Sequence, residues 1–486
     1  MLKKIKSMLN RKYLVILILV FILFGGFGAR LYKINTPLAD WHSWRQADTA
    51  SVTKIYLQNG IDLLHPRYHD ISRVQTSYFN PDGFRYVEFP FFNLAHVSLV
   101  SAFPFLGVEV SGRLISVLSA TITSIFLFLI ARKYVGDFGG LLASFYYLFF
   151  PFNIYFTRVI LPDPMAVMFA VSSIYFFYLF TERESKHLLL LSSVLFAISM
   201  LVKPHAIFFS IPIVLLAVKK YGLIKSLKSK WLFLAFDIVA IPFLLWRIWI
   251  YQPGLIRGIA NYLWAFNGDE IRFKPSFWRW LFGERIGNLI LGIWGIGPFF
   301  LGLLNFQKKT LLTFAFLMGV FLYFAVFATA NVKHDYYQIF VVPAIALTVA
   351  QGVVYLFSLP KINKIVAAVV TLFVTFLMFG ISWYAIRDNY QIINPQIVEA
   401  GIALDKIAAK DALVIAPYNG DTAFLYQTNR SGWPVITEDI KDMINQGADY
   451  YVSVDLGSND TKIIRTRYQV IEERPNYIII DLSRPI

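Results

Sequence analysis

The feature that most constrains this chain is its series of long apolar runs. A helix that crosses a lipid bilayer needs about 20 mostly apolar residues, with a working range of about 17–25. Runs of this kind occur at Tyr13–Leu31, Leu114–Ala131, Gly139–Phe156, Pro164–Phe180, Leu188–Val202, His205–Val218, Trp231–Ile250, Ile286–Leu304, Thr310–Thr329, Ile339–Leu359 and Ile365–Tyr384. They predict a polytopic α-helical membrane protein with about eleven transmembrane helices. Composition agrees: 57% of residues are hydrophobic and 15% charged, where a soluble domain carries about 25% charged residues. Met1–Asn10 holds three lysines and leads into the apolar run Tyr13–Phe27 without a small-residue cleavage site. We read it as a retained first helix, not a signal peptide. The two runs flanking Lys203–Pro204 are short and could form one broken helix.

Charge sets the expected sidedness. With Met1–Lys12 in the cytoplasm, the loops on that side hold 18 basic residues, five of them between Lys219 and Lys230, against three acids, Asp137, Glu182 and Glu184. This is the bias of cytoplasmic loops, and it accounts for the net charge of +15 without nucleic acid. Counting the apolar segment Phe89–Phe105 as a span would put the five-lysine loop outside, so we expect a helix lying on or dipping into the outer leaflet. The predicted location is the cell membrane, multi-pass, with the N-terminus cytoplasmic and the C-terminal domain outside. The chain has no cysteine, which excludes disulfides, thiolate metal sites and a cysteine nucleophile.

The expected domains are a membrane domain over residues 1–386, with a long first outside loop at 32–88, and a soluble C-terminal α/β domain over 387–486. In the first loop, Gln46–Gln58 reads as a short amphipathic helix stopped by Gly60. Tyr251–Arg285 carries Trp264, Trp278 and Trp280 as interfacial aromatics. In the tail, helices are expected at Val398–Ala409 and Glu438–Gln446. Strands are expected at Ala412–Ala416, Tyr450–Val454, Tyr468–Ile471 and Tyr477–Asp481, with a turn at Asn419–Gly420. No G-x-G-x-x-G loop follows a strand.

The topology brings four ionisable loop segments to one face: His42–Thr49, Arg158–Pro164, Lys203–His205 and Lys333–Tyr337. Charges near a bilayer are costly, which favours a functional reading of the group. Singly, each has a plainer explanation. Asp48 and Asp163 can cap the helices they precede, Lys203 can snorkel, and Arg113 can anchor its helix at the interface. Glu88 can complement a helix dipole.

These segments resemble the bacterial members of the protein O-mannosyltransferase group of GT-C glycosyltransferases, and the related lipid A aminoarabinose transferases. The resemblance rests on Trp44–Arg45–Gln46–Ala47–Asp48–Thr49, Glu88-Phe-Pro90, Ser111-Gly-Arg-Leu114, Leu161-Pro-Asp-Pro164, Leu201-Val-Lys-Pro204, and Lys333-His-Asp-Tyr-Tyr337 followed by Pro343. It spans roughly Lys3–Leu359. The family carries an acidic pair at the Asp48 position, where this chain has Thr49 second. It also carries a proline pair after the glutamate, where this chain has Pro90 alone.

The resemblance implies a GT-C-like enzyme that moves a hexosyl- or pentosyl-type sugar from a polyprenyl-phosphate donor to an acceptor hydroxyl of a lipid, glycan or protein. The reaction needs a base for the hydroxyl proton and cations for the departing phosphate. It implies Asp48 and Asp163 as catalytic carboxylates, and Lys203, Lys333, His334 and Arg45 as phosphate-binding cations. Glu88, Arg113, His205, Tyr336 and Tyr337 would position substrate. No cofactor is demanded. The two aspartates could take a divalent ion, but no ligand spacing requires one. The competing reading is a transporter or flippase for lipid-linked sugars, which has no need of the long first loop.

Overall fold

The computed structural model describes the backbone of residues 2–486 and the side chains of residues 11–486, Asp269 excepted. Met1 and the side chains of Lys3, Lys4 and Lys6, which entered the charge count, lie outside the described residues. Contacts divide the chain into two compact units. The first comprises residues 1–34, 114–245 and 262–388, and the second residues 35–113, 246–261 and 389–486. Most of the first loop, from residue 35, belongs with the tail from residue 389 in the second unit.

The first unit is helical. The apolar runs fall on helices because a backbone in lipid must satisfy its own hydrogen bonds. Among the described residues of the whole chain, six stretches are long and apolar enough to cross a membrane: Arg11–Arg30, Pro104–Phe149, Asp163–Arg183, Pro204–Tyr221, Lys230–Ile250 and Lys364–Ile407. Lys186–Val202, Leu311–Val326 and Val342–Ser358 are shorter apolar helices. The long stretch bends at Gly136, whose φ of 77° no β-carbon tolerates cheaply. The bend falls in the basic segment read as a cytoplasmic loop. The segment around Lys203–Pro204 is not one broken helix. Pro204–Phe209 is a 3₁₀ turn between two helices, since proline has no N–H to continue the ladder.

Helices Asp163–Arg183 and Lys186–Val202 form a hairpin closed at Glu184, which takes the left-handed conformation. Ser173 donates to the carbonyl of Ser192 at 2.8 Å, Ser192 donates back to that of Ser173 at 2.9 Å, and Ser199 donates to Ala166 O at 2.7 Å. Such hydroxyl contacts join helices where no hydrophobic force can. Both helices run back from one turn, so Asp163 at the start of the first comes level with Lys203 at the end of the second. Helices Ile296–Leu304 and Val342–Ser358 approach closely at two glycines. A β-carbon on Gly352 would lie 1.8 Å from Pro298 O, and one on Gly302 would lie 2.1 Å from Thr348 O.

The second unit holds a five-stranded sheet of order β2-β1-β3-β5-β4. The strands are β1 Leu413–Ile415, β2 Gly432–Trp433, β3 Ala448–Ser453, β4 Tyr468–Arg474 and β5 Tyr477–Pro485. β1 pairs parallel with β2 and β3, while β5 pairs antiparallel with β3 and β4. The first loop joins this sheet: Gly432 N donates to His69 O at 2.9 Å, and Ile71 N donates to Gly432 O at 3.0 Å. Ile71 thereby enters the core formed by Ile415, Trp433, Tyr451, Ile478 and Ile480.

Two further helices of this unit frame the candidate site. Phe91–Ala102 has 12 residues, about 18 Å at 1.5 Å per residue, too short to cross a bilayer core of about 30 Å. It lies against helix Ser43–Asn59, where Asn93 Nδ2 donates to Thr49 O at 2.7 Å and His96 Nδ1 lies 3.0 Å from the Thr53 hydroxyl. Helix Ser43–Asn59 ends at Gly60 as expected, with φ 89°. It departs from the sequence reading in two respects. It begins three residues before Gln46, so Asp48 lies inside it and does not cap it; the cap position is His42. It is also not an amphipathic surface helix, because residues 45–53 are all buried. Their short polar side chains are matched by partners from the loop and the tail, so polarity there does not signal exposure.

Candidate functional site

Asp48 is the centre of the polar group in the second unit. Its Oδ2 lies 3.0 Å from Arg85 Nη2 and accepts from Gln75 Nε2 at 3.1 Å. Its Oδ1 accepts the Thr422 hydroxyl at 2.7 Å. The frame is itself braced: Arg85 Nη1 donates to Gln75 Oε1 at 2.9 Å, and the guanidinium lies over the Tyr68 ring, 4.8 Å from its centre. The carboxylate is thus buried and fixed in direction. Those are the requirements for a group that must meet a substrate atom in one geometry. Asp421 stands beside this group. Burial pushes its carboxyl up to about 6, and the negative charge of Asp48 acts in the same direction.

The other expected residues of this unit are engaged with one another. Arg45 pairs with Glu88 and donates to the Thr49 hydroxyl at 3.3 Å. Thr49, which stands where the resembling family has a second acid, therefore helps to hold a cation. Arg113 is not an interfacial anchor. It is wholly buried, donates to Thr36 O and lies 3.8 Å from Asp40, and Asp40 in turn accepts from Gln46 at 2.7 Å.

In the first unit, the hairpin sets Lys203 Nζ 3.7 Å from Asp163 Oδ2, both buried. Asp163 begins its helix, as read from the sequence, and its side chain faces the lysine. The same ammonium lies over Tyr337, 5.7 Å from the ring centre. His205 packs between Phe327 and Tyr337, with ring centres 4.2 and 5.1 Å away. The rings of Tyr336 and Tyr337 are tilted to each other with centres 4.4 Å apart, and the His334 ring lies 5.6 Å from Tyr336 and 5.7 Å from Trp264. Lys333 is exposed and reaches over Trp264. Asp335 lies 3.9 Å from Arg285. This unit therefore gathers Asp163, Lys203, His205, Tyr336, Tyr337 and His334 along one run of rings, with Lys333 at its edge.

Sequence reasoning missed Arg85, Gln75, Thr422, Asp421, Asp40 and Arg285. None lies in a recognisable motif, and Thr422 is 374 residues from its partner. Among the described residues, no three His, Asp or Glu side chains gather as metal ligands. The two aspartates that could take a divalent ion face Arg85 and Lys203 instead, so we derive no step through a metal.

Known proteins share this architecture. Residues 100–249 match the family model of the dolichyl-phosphate-mannose-protein mannosyltransferases. ArnT from Cupriavidus metallidurans, crystallised with undecaprenyl phosphate, superposes with a TM-score of 0.62 over 95% of this chain and 97% of its own, at 10% identity. The chain has the GT-C glycosyltransferase fold. The same GT-C fold relates it to the oligosaccharyltransferase AglB of Archaeoglobus fulgidus. With an inhibitory peptide and a dolichol-phosphate bound, AglB matches at TM-score 0.58 and 10% identity over 98% of this chain and 76% of its own. A form of the A. fulgidus oligosaccharyltransferase carrying zinc and sulfate matches at 0.58 and 10% identity, over 94% of this chain and 72% of its own. No curated protein matches the chain in sequence.

Proposed function

We propose that this chain is a membrane glycosyltransferase that takes a sugar from a polyprenyl-phosphate donor and passes it to an acceptor hydroxyl on the non-cytoplasmic face of the cell membrane. The observation that carries this reading is a buried Asp48 carboxylate, fixed by Arg85, Gln75 and Thr422, in a chain of GT-C fold. ArnT and AglB with their bound polyprenyl phosphates support the donor class. The acceptor oxygen attacks the anomeric carbon, and the bond from that carbon to the phosphate oxygen breaks. The electron pair leaves with the lipid phosphate, and Asp48 takes the hydroxyl proton. Lys203 is the cation for the phosphate, with Lys333, His334 and Arg45 as further candidates. Asp163 orients Lys203 or the sugar. Glu88, Arg113, His205, Tyr336 and Tyr337 act by holding these groups in place. The transporter reading gains no support from the comparisons.

The test uses purified protein, the polyprenyl-phosphate sugars extracted from the source cells and their membranes as acceptor. Release of free polyprenyl phosphate with sugar appearing on a membrane component is the expected result. ATP- or gradient-driven movement of the intact donor, without cleavage, would overturn it.

A further inference from the structure

At the start of helix Ala423–Thr428, Thr422 holds the position where a threonine hydroxyl ordinarily accepts a free backbone N–H. It makes no such bond. Its neighbour satisfies the helix instead: Asp421 Oδ1 accepts from Ala423 N at 2.7 Å. The Thr422 side chain is buried and turns the other way, to Asp48 Oδ1 at 2.7 Å, with a longer contact of 3.2 Å to Trp44 O. One residue thus leaves capping to its neighbour and spends its hydroxyl on the carboxylate at the centre of the polar group.

The two oxygens of Asp48 are treated differently. Oδ2 faces Arg85 and the Gln75 amide nitrogen. Both groups can only donate, so a proton arriving there would meet N–H groups that cannot accept it. Oδ1 faces a hydroxyl, which donates or accepts by rotating about its C–O bond. When Asp48 is ionised, the hydroxyl donates to it. When Oδ1 has taken a proton, the same hydroxyl can accept, and no buried polar group is left unpaired.

We propose that Thr422 is a positioning residue for proton uptake by Asp48, so that the C-terminal α/β domain contributes a working part of the candidate site. This rests on Asp48 being the base. Thr422 selects Oδ1 as the oxygen that takes the proton and holds it in direction while the acceptor O–H bond breaks and the bond to the sugar forms. The distant tail of the chain is then not an accessory to the membrane domain. Its first helix after β1 carries one of the contacts that the chemistry uses.

The test compares Thr422→Val, which keeps the shape and removes the hydroxyl, with Thr422→Ser, which keeps the hydroxyl, and with Asp48→Asn. Polyprenyl-phosphate sugars extracted from the source membranes are the donor, and release of polyprenyl phosphate is followed across donor concentrations. The valine variant should lose about ten- to a hundredfold in kcat, the range for one hydrogen bond to a charged group. Its KM for donor should not change, and the serine variant should recover most of the rate. If the valine variant does not purify as folded protein, Thr422→Ala replaces it. Full kcat in the hydroxyl-free variant, alongside an inactive Asp48→Asn, would overturn this inference and leave the proposed function standing. So would a fall in thermal stability with unchanged kcat. Normal transfer by Asp48→Asn would instead remove the base itself.

Discussion

Arg85 Nη2 lies 3.0 Å from Asp48 Oδ2, and the two side chains are 7% and 0% exposed. This pairing sets what a substitution at Asp48 does. Asp48→Asn should lower transfer by about 10²–10⁴-fold, the usual contribution of a general base. It should also destabilise the second unit, because breaking one side of a buried ion pair costs about 3–5 kcal/mol. Lost activity alone is therefore ambiguous. The double variant Asp48→Asn/Arg85→Gln removes both charges and should recover much of the thermal stability without recovering transfer. Recovery of transfer in the double variant would mean that Asp48 serves the fold and not the chemistry.

Lys203 and Asp163 form the second charged pair, and the two partners should respond oppositely. Lys203→Met keeps the aliphatic stem and removes the charge. Binding of undecaprenyl phosphate to the purified protein should weaken by about ten- to a hundredfold, as for one charge-assisted hydrogen bond. Asp163→Asn releases the ammonium from its carboxylate, so phosphate binding should hold or tighten while transfer falls. Unchanged phosphate affinity in Lys203→Met would remove Lys203 from the donor site.

Local physics was legible in the sequence and long-range pairing was not. Apolar runs mark helices because each helix satisfies its own backbone, and the turn at Glu184 and the bend at Gly136 fall in the charged segments between them. Strands β1, β3, β4 and β5 were foreseen from β-branched and aromatic runs. β2 was missed because it has only two residues, Gly432 and Trp433, and is completed by His69–Ile71 from the first loop. Helices Ala423–Thr428 and Asn459–Arg465, of six and seven residues, are too short for a periodic signal. Asp48 was picked out by its motif, but its role as a cap was misread because the helix starts at Ser43. Nothing local announces Arg85 or Thr422 as its partners.

The sidedness we propose from the basic loops can be measured in a chain that has no cysteine of its own. Lys228 and Asp460 are exposed, whereas Ser458 caps helix Asn459–Arg465 and should be left intact. In whole cells, Asp460→Cys should react with a membrane-impermeant maleimide. Lys228→Cys should react only after the membrane is opened. Equal labelling of both in intact cells would reverse the assignment of faces and the location of the chemistry.

Asp70 makes the stability of the second unit depend on pH in a way that one substitution isolates. Its side chain is buried beside the His69–Gly432 pairing; Oδ1 accepts from Ser72 N at 2.8 Å, and Oδ2 has no hydrogen-bond partner among the described residues. Burial pushes its carboxyl up to about 7, with the charge of Asp48 adding to the rise and Arg85 opposing it. The unfolded chain releases this proton near 3.8. A raised acid contributes stability that is fully present below about 4 and lost as pH climbs through about 7. His69 acts in the opposite sense over nearly the same window. Burial pushes it down to about 3 from 6.5, so its contribution grows as pH rises to about 6.5 and hides the Asp70 loss in the parent protein. Lys54, held down to about 8 by burial, changes nothing below that pH. Asp70→Asn keeps the acceptor for Ser72 and removes the ionisation. Its thermal midpoint should match the parent at pH 4 and exceed it increasingly up to pH 7–8. The gain should reach about 1–3 kcal/mol, since a pKa shift of one unit is worth about 1.4 kcal/mol and part of it is relaxed by solvent. Melting followed by tryptophan fluorescence at pH 4, 6 and 8 would check this. A constant offset between the two proteins across that range would mean that Asp70 carries no raised ionisation.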